Sequence, residues 1–115
     1  MGASENTARY SNMAIKMLKA YGHPVLALGK QKGEVDNVKI ETNTDSFLPN
    51  SIDTVTLYLN PANQEKYYDF IIGLNPKRVI FNPGTENPEL EDLLHKNHIK
   101  TEEACTLVLL RTAQF

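Results

Sequence analysis

The side chains able to do covalent or acid–base chemistry are few and scattered. Cys105 is the one thiol, and the histidines are His23, His95 and His98. Such a set makes no zinc pattern, and no histidine has a serine or carboxylate at a recognisable triad spacing. Cys105 is expected either to be an inert buried thiol or to border a ligand thiol and form a mixed disulfide with it. Glu89, Glu91 and Asp92 read as acids at a helix start, and Tyr67, Tyr68 and Phe70 as packing residues. Catalysis is therefore not the chemistry the sequence advertises.

Short loops suited to an anion are better represented. Gly2-Ala3-Ser4 is a small-residue turn in which backbone approaches a diphosphate closely, with a hydroxyl at Ser4 to donate. The same segment brings Arg9 and then Ser11, read as the cap of the first helix. Gly29-Lys30 follows a short apolar run at the place where a dinucleotide site for NAD carries an acid for the ribose hydroxyls. A cation there favours a phosphorylated ribose. The two further glycines of the dinucleotide fingerprint are also missing after Gly2, so NAD is disfavoured on both counts. Asn82-Pro83-Gly84-Thr85 is a third turn with a glycine between a strand and a capped helix.

The elements that must position these loops alternate along the chain, which argues for parallel strands joined by helical crossovers. Residues 10–21 predict a helix with Tyr10, Met13, Ala14, Met17, Leu18 and Tyr21 on its inward stripe and Gly22 as its stop. Val25 to Leu28 read as a strand ending in a basic loop, Gly29 to Gly33. Val38 and Ile40 suggest a short strand, and Ser46 to Leu48 a helical turn. Thr54 to Leu59 read as a buried strand running into Asn60-Pro61, where asparagine caps and proline opens a helix reaching Leu74. Val79 to Phe81 form the next strand, with Asn87-Pro88 repeating the helix start. Ile99 to Glu103 close the strands and Thr106 to Arg111 the helices. A doubly wound sheet begins with a strand, yet only Met1 precedes Gly2. The expectation is that this first, central strand is truncated or absent, with a few N-terminal residues missing from the numbering.

Length and composition set the bounds. A chain of 115 residues, 41% hydrophobic and 23% charged, is read as one domain over residues 1–115. A net charge of -2 gives no general attraction to nucleic acid or an anionic membrane, so local groups must hold any anion. The lone cysteine and the lack of a signal or spanning segment place the chain in the cytoplasm. Homodimerisation suits so small a domain, although no heptad or long apolar patch specifies it.

Taken in order, Gly2-Ala3-Ser4, Arg9-Tyr10-Ser11-Asn12, Val25-Leu26-Ala27-Leu28-Gly29, Asp53-Thr54-Val55, Phe81-Asn82-Pro83-Gly84 and Cys105 resemble the small stand-alone coenzyme A-binding domain family. That family is similar to the N-terminal domain of the succinyl-CoA synthetase α subunit, and the resemblance covers essentially the whole chain. It implies a three-layer, Rossmann-like, doubly wound parallel sheet binding coenzyme A. The first loop would lie at the diphosphate, the end of the second strand near the adenosine, and the later loops along the pantetheine. Carried over by position, it names Gly2, Ala3, Ser4, Arg9, Ser11, Gly29, Lys30, Pro83 and Gly84, and no catalytic or metal-binding residue. The function expected is a coenzyme A or acyl-CoA binding module. Two alternatives stand beside it: a binding subunit or enzyme of acyl-CoA metabolism, with Cys105 and Thr106 at the acyl end, and an NADP- or other nucleotide-binding protein.

Overall fold

Helix formation begins at Tyr10, where the chain leaves the Gly2–Arg9 loop, and ends in glycine. The structure, a computed structural model, describes residues 1–115, and its first helix, α1, spans Tyr10–Ala20. Tyr21 and Gly22 then turn the chain, Gly22 at φ +85°, a left-handed value that costs glycine little. Two expectations for α1 are corrected. Its N-cap is Arg9 and makes no side-chain cap bond, while Ser11 lies inside the first turn, 5% exposed. The buried face is Ser11, Asn12, Ala14, Ile15 and Leu18, whereas Tyr10, Met13 and Tyr21 face solvent. The helix is thus rotated from the stripe that apolar counting selected, because two buried polar residues define its inner face.

The chain divides into two units, Met1–Thr44 with Thr106–Phe115, and Asp45–Cys105. In the first, β1 (Ala27–Leu28) pairs parallel with β3 (Val38–Glu41), and β2 (Gly33–Val35) pairs antiparallel with β3. This hairpin was not foreseen, and it makes the sheet mixed. Asp36 and Asn37 turn it at φ +48° and +68°, the left-handed pair of a two-residue hairpin that asparagine and aspartate tolerate. Ile15, Ala27, Val35, Val38 and Ile40 form the core of this unit, with Ala3 and Val25 packed on it. The closing helix α5, Thr106–Arg111, lies on α1 and buries Leu107, Leu109 and Leu110. Ahead of α1 the only pairing is an isolated parallel bridge, Ala3 to Gly29.

The second unit holds a parallel sheet in the order β4 (Thr54–Leu57), β5 (Arg78–Phe81), β6 (Lys100–Glu103). The central strand is apolar on both faces: Val79, Ile80 and Phe81 are fully buried. The edge strand β6 is polar throughout, Lys-Thr-Glu-Glu, and its Glu102 meets Arg78 at 3.1 Å. The helix expected over residues 61–74 is broken in three. A single turn, α2 (Pro61–Gln64), passes through a 3-10 turn at Glu65–Tyr67 into α3 (Tyr68–Leu74). The one-turn helix expected at Ser46 to Leu48 is a 3-10 turn at Thr44–Ser46. Between β5 and β6 lies α4, Pro88–Lys96, with Leu90 and Leu94 inward. Strand–helix–strand alternation with parallel pairing is the Rossmann-like architecture expected.

Candidate functional site

In the first unit, the carboxyl end of β1 is stitched to the N-terminal turn. The amides of Gly2 and Ala3 both donate to Leu28 O, at 3.0 and 2.9 Å, and the Gly29 amide donates to Glu41 O at 2.9 Å. Gly2 sits at φ +93°. The expectation that the Gly2-Ala3 amides are free for a diphosphate is therefore corrected, since both are used within the fold. Ser4 and Lys30 each follow the bridge between Ala3 and Gly29 by one residue. Gly29 is the residue that permits the bridge. A Cβ there would fall well inside contact distance of Ala3 O and 2.9 Å from Ile40 Cγ2.

Ser4 and its neighbours fold into a chain of local bonds. The Asn6 amide donates to Ser4 Oγ at 3.1 Å, the Ala8 amide to Asn6 Oδ1 at 3.0 Å, and Asn12 Nδ2 to Ser4 O at 3.0 Å. Asn12 is 2% exposed and its Oδ1 has no hydrogen-bond partner. Glu5 reaches the other way and accepts from the Glu34 amide at 3.0 Å, lying across Gly33. Arg9 and Lys30 are exposed and enter no ion pair.

In the second unit the carboxyl ends of β4 and β5 carry the Asn60 and Asn82–Asn87 segments. Asn60 and Asn87 cap their helices as expected, accepting from the Asn63 amide at 3.0 Å and the Leu90 amide at 3.2 Å. The Asn82–Asn87 turn is anchored by three buried polar residues, Asn82, Thr85 and Asn87, while Pro83 and Gly84 between them are exposed. Asn82 Nδ2 donates to Leu57 O at 2.9 Å and Thr85 Oγ1 to Asn82 O at 2.7 Å. Gly84, at φ +90°, has nothing within 4 Å of the position a Cβ would take, and its amide donates to Glu86 Oε1 at 2.8 Å.

A family model described as a CoA binding domain matches residues 1–111. The chain belongs to this family. A solved structure titled only as an uncharacterized protein is 46% identical, with a TM-score of 0.94 over 99% of this chain and 93% of that one. A protein of Thermus thermophilus, titled cell-free ID.343, is 20% identical at a TM-score of 0.86, covering 100% of this chain and 87% of its own. A hypothetical protein from Pyrococcus horikoshii OT3 is 24% identical at 0.85, over 96% and 78%. The last two share the fold. No protein of curated function matches this chain.

The side chains of this CoA-binding domain fit coenzyme A chemically. Coenzyme A phosphates call for hydroxyl and cationic donors, and Ser4, Arg9 and Lys30 in the first unit are groups of that kind. Cys105 is a free, half-buried thiol just beyond the end of β6, and Thr106 beside it is fully buried. Residues that sequence reasoning did not single out are Asn12, Glu5 and Gln64. Their roles depend on partners distant in sequence, whereas the Asn60 and Asn87 caps, whose partners are local, are readable from the sequence.

A polar cluster elsewhere in the CoA-binding domain is stabilising in one protonation state. Glu91 and His95, one turn apart on α4, face Thr101 and Glu103, two residues apart on β6, and His95 Nε2 lies 2.8 Å from Thr101 Oγ1. Partial burial, and then the charge and hydrogen bond of Glu103, raise the Glu91 carboxyl above its ordinary value. A raised carboxyl means folding favours the protonated form. Its contribution is complete below the ordinary carboxylate range and is lost as pH rises through the raised value. Glu91→Gln should therefore raise Tm at pH 7, by about 2 °C for a half-buried site screened by solvent, with the gain gone near pH 4. Thermal melts of both proteins across that range measure it; a lower Tm for the variant at pH 7 contradicts the sign.

Proposed function

We propose that this chain, as one CoA-binding domain, holds coenzyme A or an acyl-CoA without transforming it. In this reading Ser4, Arg9 and Lys30 receive the diphosphate and the 3′-phosphorylated adenosine, while Gly2, Ala3 and Gly29 shape the backbone beside them and Ser11 packs beneath the first turn of α1. Pro83 and Gly84 receive the pantetheine arm. The observation that carries the reading is the Ala3–Gly29 bridge, which joins the chain just before Ser4 to the chain just before Lys30, so that a hydroxyl-bearing and a cationic residue each follow the same backbone contact. Phosphate is the group such a pair recognises. Glycines at 2 and 29 let the two backbones meet there, and nothing acidic stands at Lys30 to claim a free ribose.

Bound coenzyme A supplies a thiol that carries acyl groups. The chain's part is to bind and orient: Lys30 and Arg9 neutralise phosphate charge, and the Pro83-Gly84 turn gives the arm a surface without side-chain bulk. A role in the cytoplasm, where coenzyme A is abundant and a free Cys105 stays reduced, accords with this reading. No helix of the chain is long and apolar enough to cross a membrane.

Titration calorimetry of the full chain with coenzyme A and with NADP tests the proposal. Saturable one-to-one binding of coenzyme A, tighter than that of NADP, is expected. Tighter binding of NADP would replace coenzyme A with the rival nucleotide, and silence with both at millimolar ligand would end the proposal. Turnover of an acyl-CoA by the pure chain would move the reading to an enzyme.

A further inference from the structure

We infer that Gln64 is a positioning residue for the ligand arm, the part that sets where Pro83 and Gly84 stand; this rests on the coenzyme A reading above. Gln64 closes α2 and is 0% exposed, an unusual place for a side-chain amide. Both amide protons and the carbonyl oxygen of its side chain are engaged. Nε2 donates to Leu59 O at 2.7 Å and to Thr85 O at 2.8 Å, while Oε1 accepts from Asn87 Nδ2 at 2.9 Å. Asn87 passes its second proton to Tyr68 Oη at 2.8 Å and accepts the Leu90 amide with Oδ1.

The placement of these bonds carries the inference. Leu59 O belongs to the loop leaving β4, and Thr85 O directly follows Gly84 in the loop leaving β5. One planar amide therefore spans the two loops and fixes their separation. The first half of the Asn82–Asn87 turn has its own anchors in Asn82 Nδ2 and Thr85 Oγ1. Gln64 and Asn87 supply the anchors of the second half. An apolar residue of equal volume would fill the space but leave two carbonyls and an amide buried without partners, which costs more than the lost bonds themselves. A saturated buried network of this kind holds one geometry, as ligand positioning requires.

Gln64→Glu tests this with little change of volume. One carboxyl oxygen can still accept from Asn87, but the other replaces Nε2 and faces two carbonyl oxygens. Only the protonated acid can donate to one of them, and ionisation sets like charge against both. The Kd for coenzyme A, measured well below the Tm of each protein, is expected to rise on the order of tenfold between about pH 5.5 and 8.5 relative to wild type. The Kd for adenosine 3′,5′-bisphosphate, which lacks the arm, should follow wild type across the same range. Should Gln64→Glu not fold, Asn87→Ser keeps a helix cap while removing the donor to Gln64 and Tyr68, and it should weaken coenzyme A selectively over the bisphosphate. A role in stability alone would lower Tm and leave the two ligands unaffected or equally affected, and either result overturns the assignment. Failure of the wild-type chain to bind coenzyme A would instead remove the underlying reading, and the inference with it.

Discussion

Replacing Gly29 with alanine is expected to weaken the fold and remove coenzyme A binding together. Gly29 joins three pieces of backbone: it bridges Ala3, its amide reaches Glu41 O, and its Cα faces Ala3 O with no room for a methyl group. The obstruction on that side is a backbone carbonyl, which has no rotamer to change. The other obstruction, Ile40 Cγ2, belongs to the core of the same unit. Relief therefore means pulling the N-terminal turn off β1, at the expense of the paired amides of Gly2 and Ala3. Overpacking of this kind costs about 1–3 kcal/mol, which in a chain of this size lowers Tm by roughly 4–8 °C for each kcal/mol. Ser4 moves with the turn, so the phosphate donors separate. Gly84→Ala is the contrast, because nothing obstructs its Cβ and only its φ of +90° resists. Melting curves and calorimetry on both variants measure the difference. A Gly29→Ala protein that melts and binds like wild type would show that the bridge positions nothing.

The parts of this architecture that were legible beforehand are those whose physics is local. Asn60-Pro61 and Asn87-Pro88 announce helix starts because an asparagine oxygen meets an amide three residues on, and both bonds are present. The strand Arg78–Phe81 and the closing helix at Thr106 follow from apolar runs between breakers. Where partners are distant, the signal weakens. Tyr10, Met13 and Tyr21 look like a core stripe by spacing, yet Asn12 takes the inner face because Ser4 O, eight residues away, accepts its proton. Gln64 is the sharpest case: on a helix of polar residues it reads as surface, and only the folding of Leu59 and Thr85 around it makes it core. The Asp36-Asn37 hairpin was missed for a different reason. Both residues tolerate a left-handed turn, but three-residue strands offer too little alternation to be told from a loop.

Removing the 3′-phosphate from the ligand is expected to weaken binding, and Lys30→Ala to erase that difference. Lys30 is the first residue past the bridge on the β1 side, exposed, with no carboxylate paired to it. An unpaired ammonium loses little solvation on meeting a phosphate dianion, and a charge-assisted bond contributes about 1.5–3 kcal/mol when shielded. At this exposed edge the lower figure applies, so dephospho-coenzyme A should bind roughly tenfold more weakly than coenzyme A. Lys30→Ala should bring coenzyme A down to the dephospho level and leave the dephospho form where it was. Arg9→Ala should instead weaken both ligands alike, because a diphosphate is common to them. The gap between the two ligands should also narrow as salt is raised, as expected for an exposed ion pair. Calorimetry on wild type, Lys30→Ala and Arg9→Ala, each with both ligands, separates these assignments. If Lys30→Ala weakens both ligands equally, the lysine serves the diphosphate, and the place assigned to the phosphorylated ribose at the end of β1 is wrong.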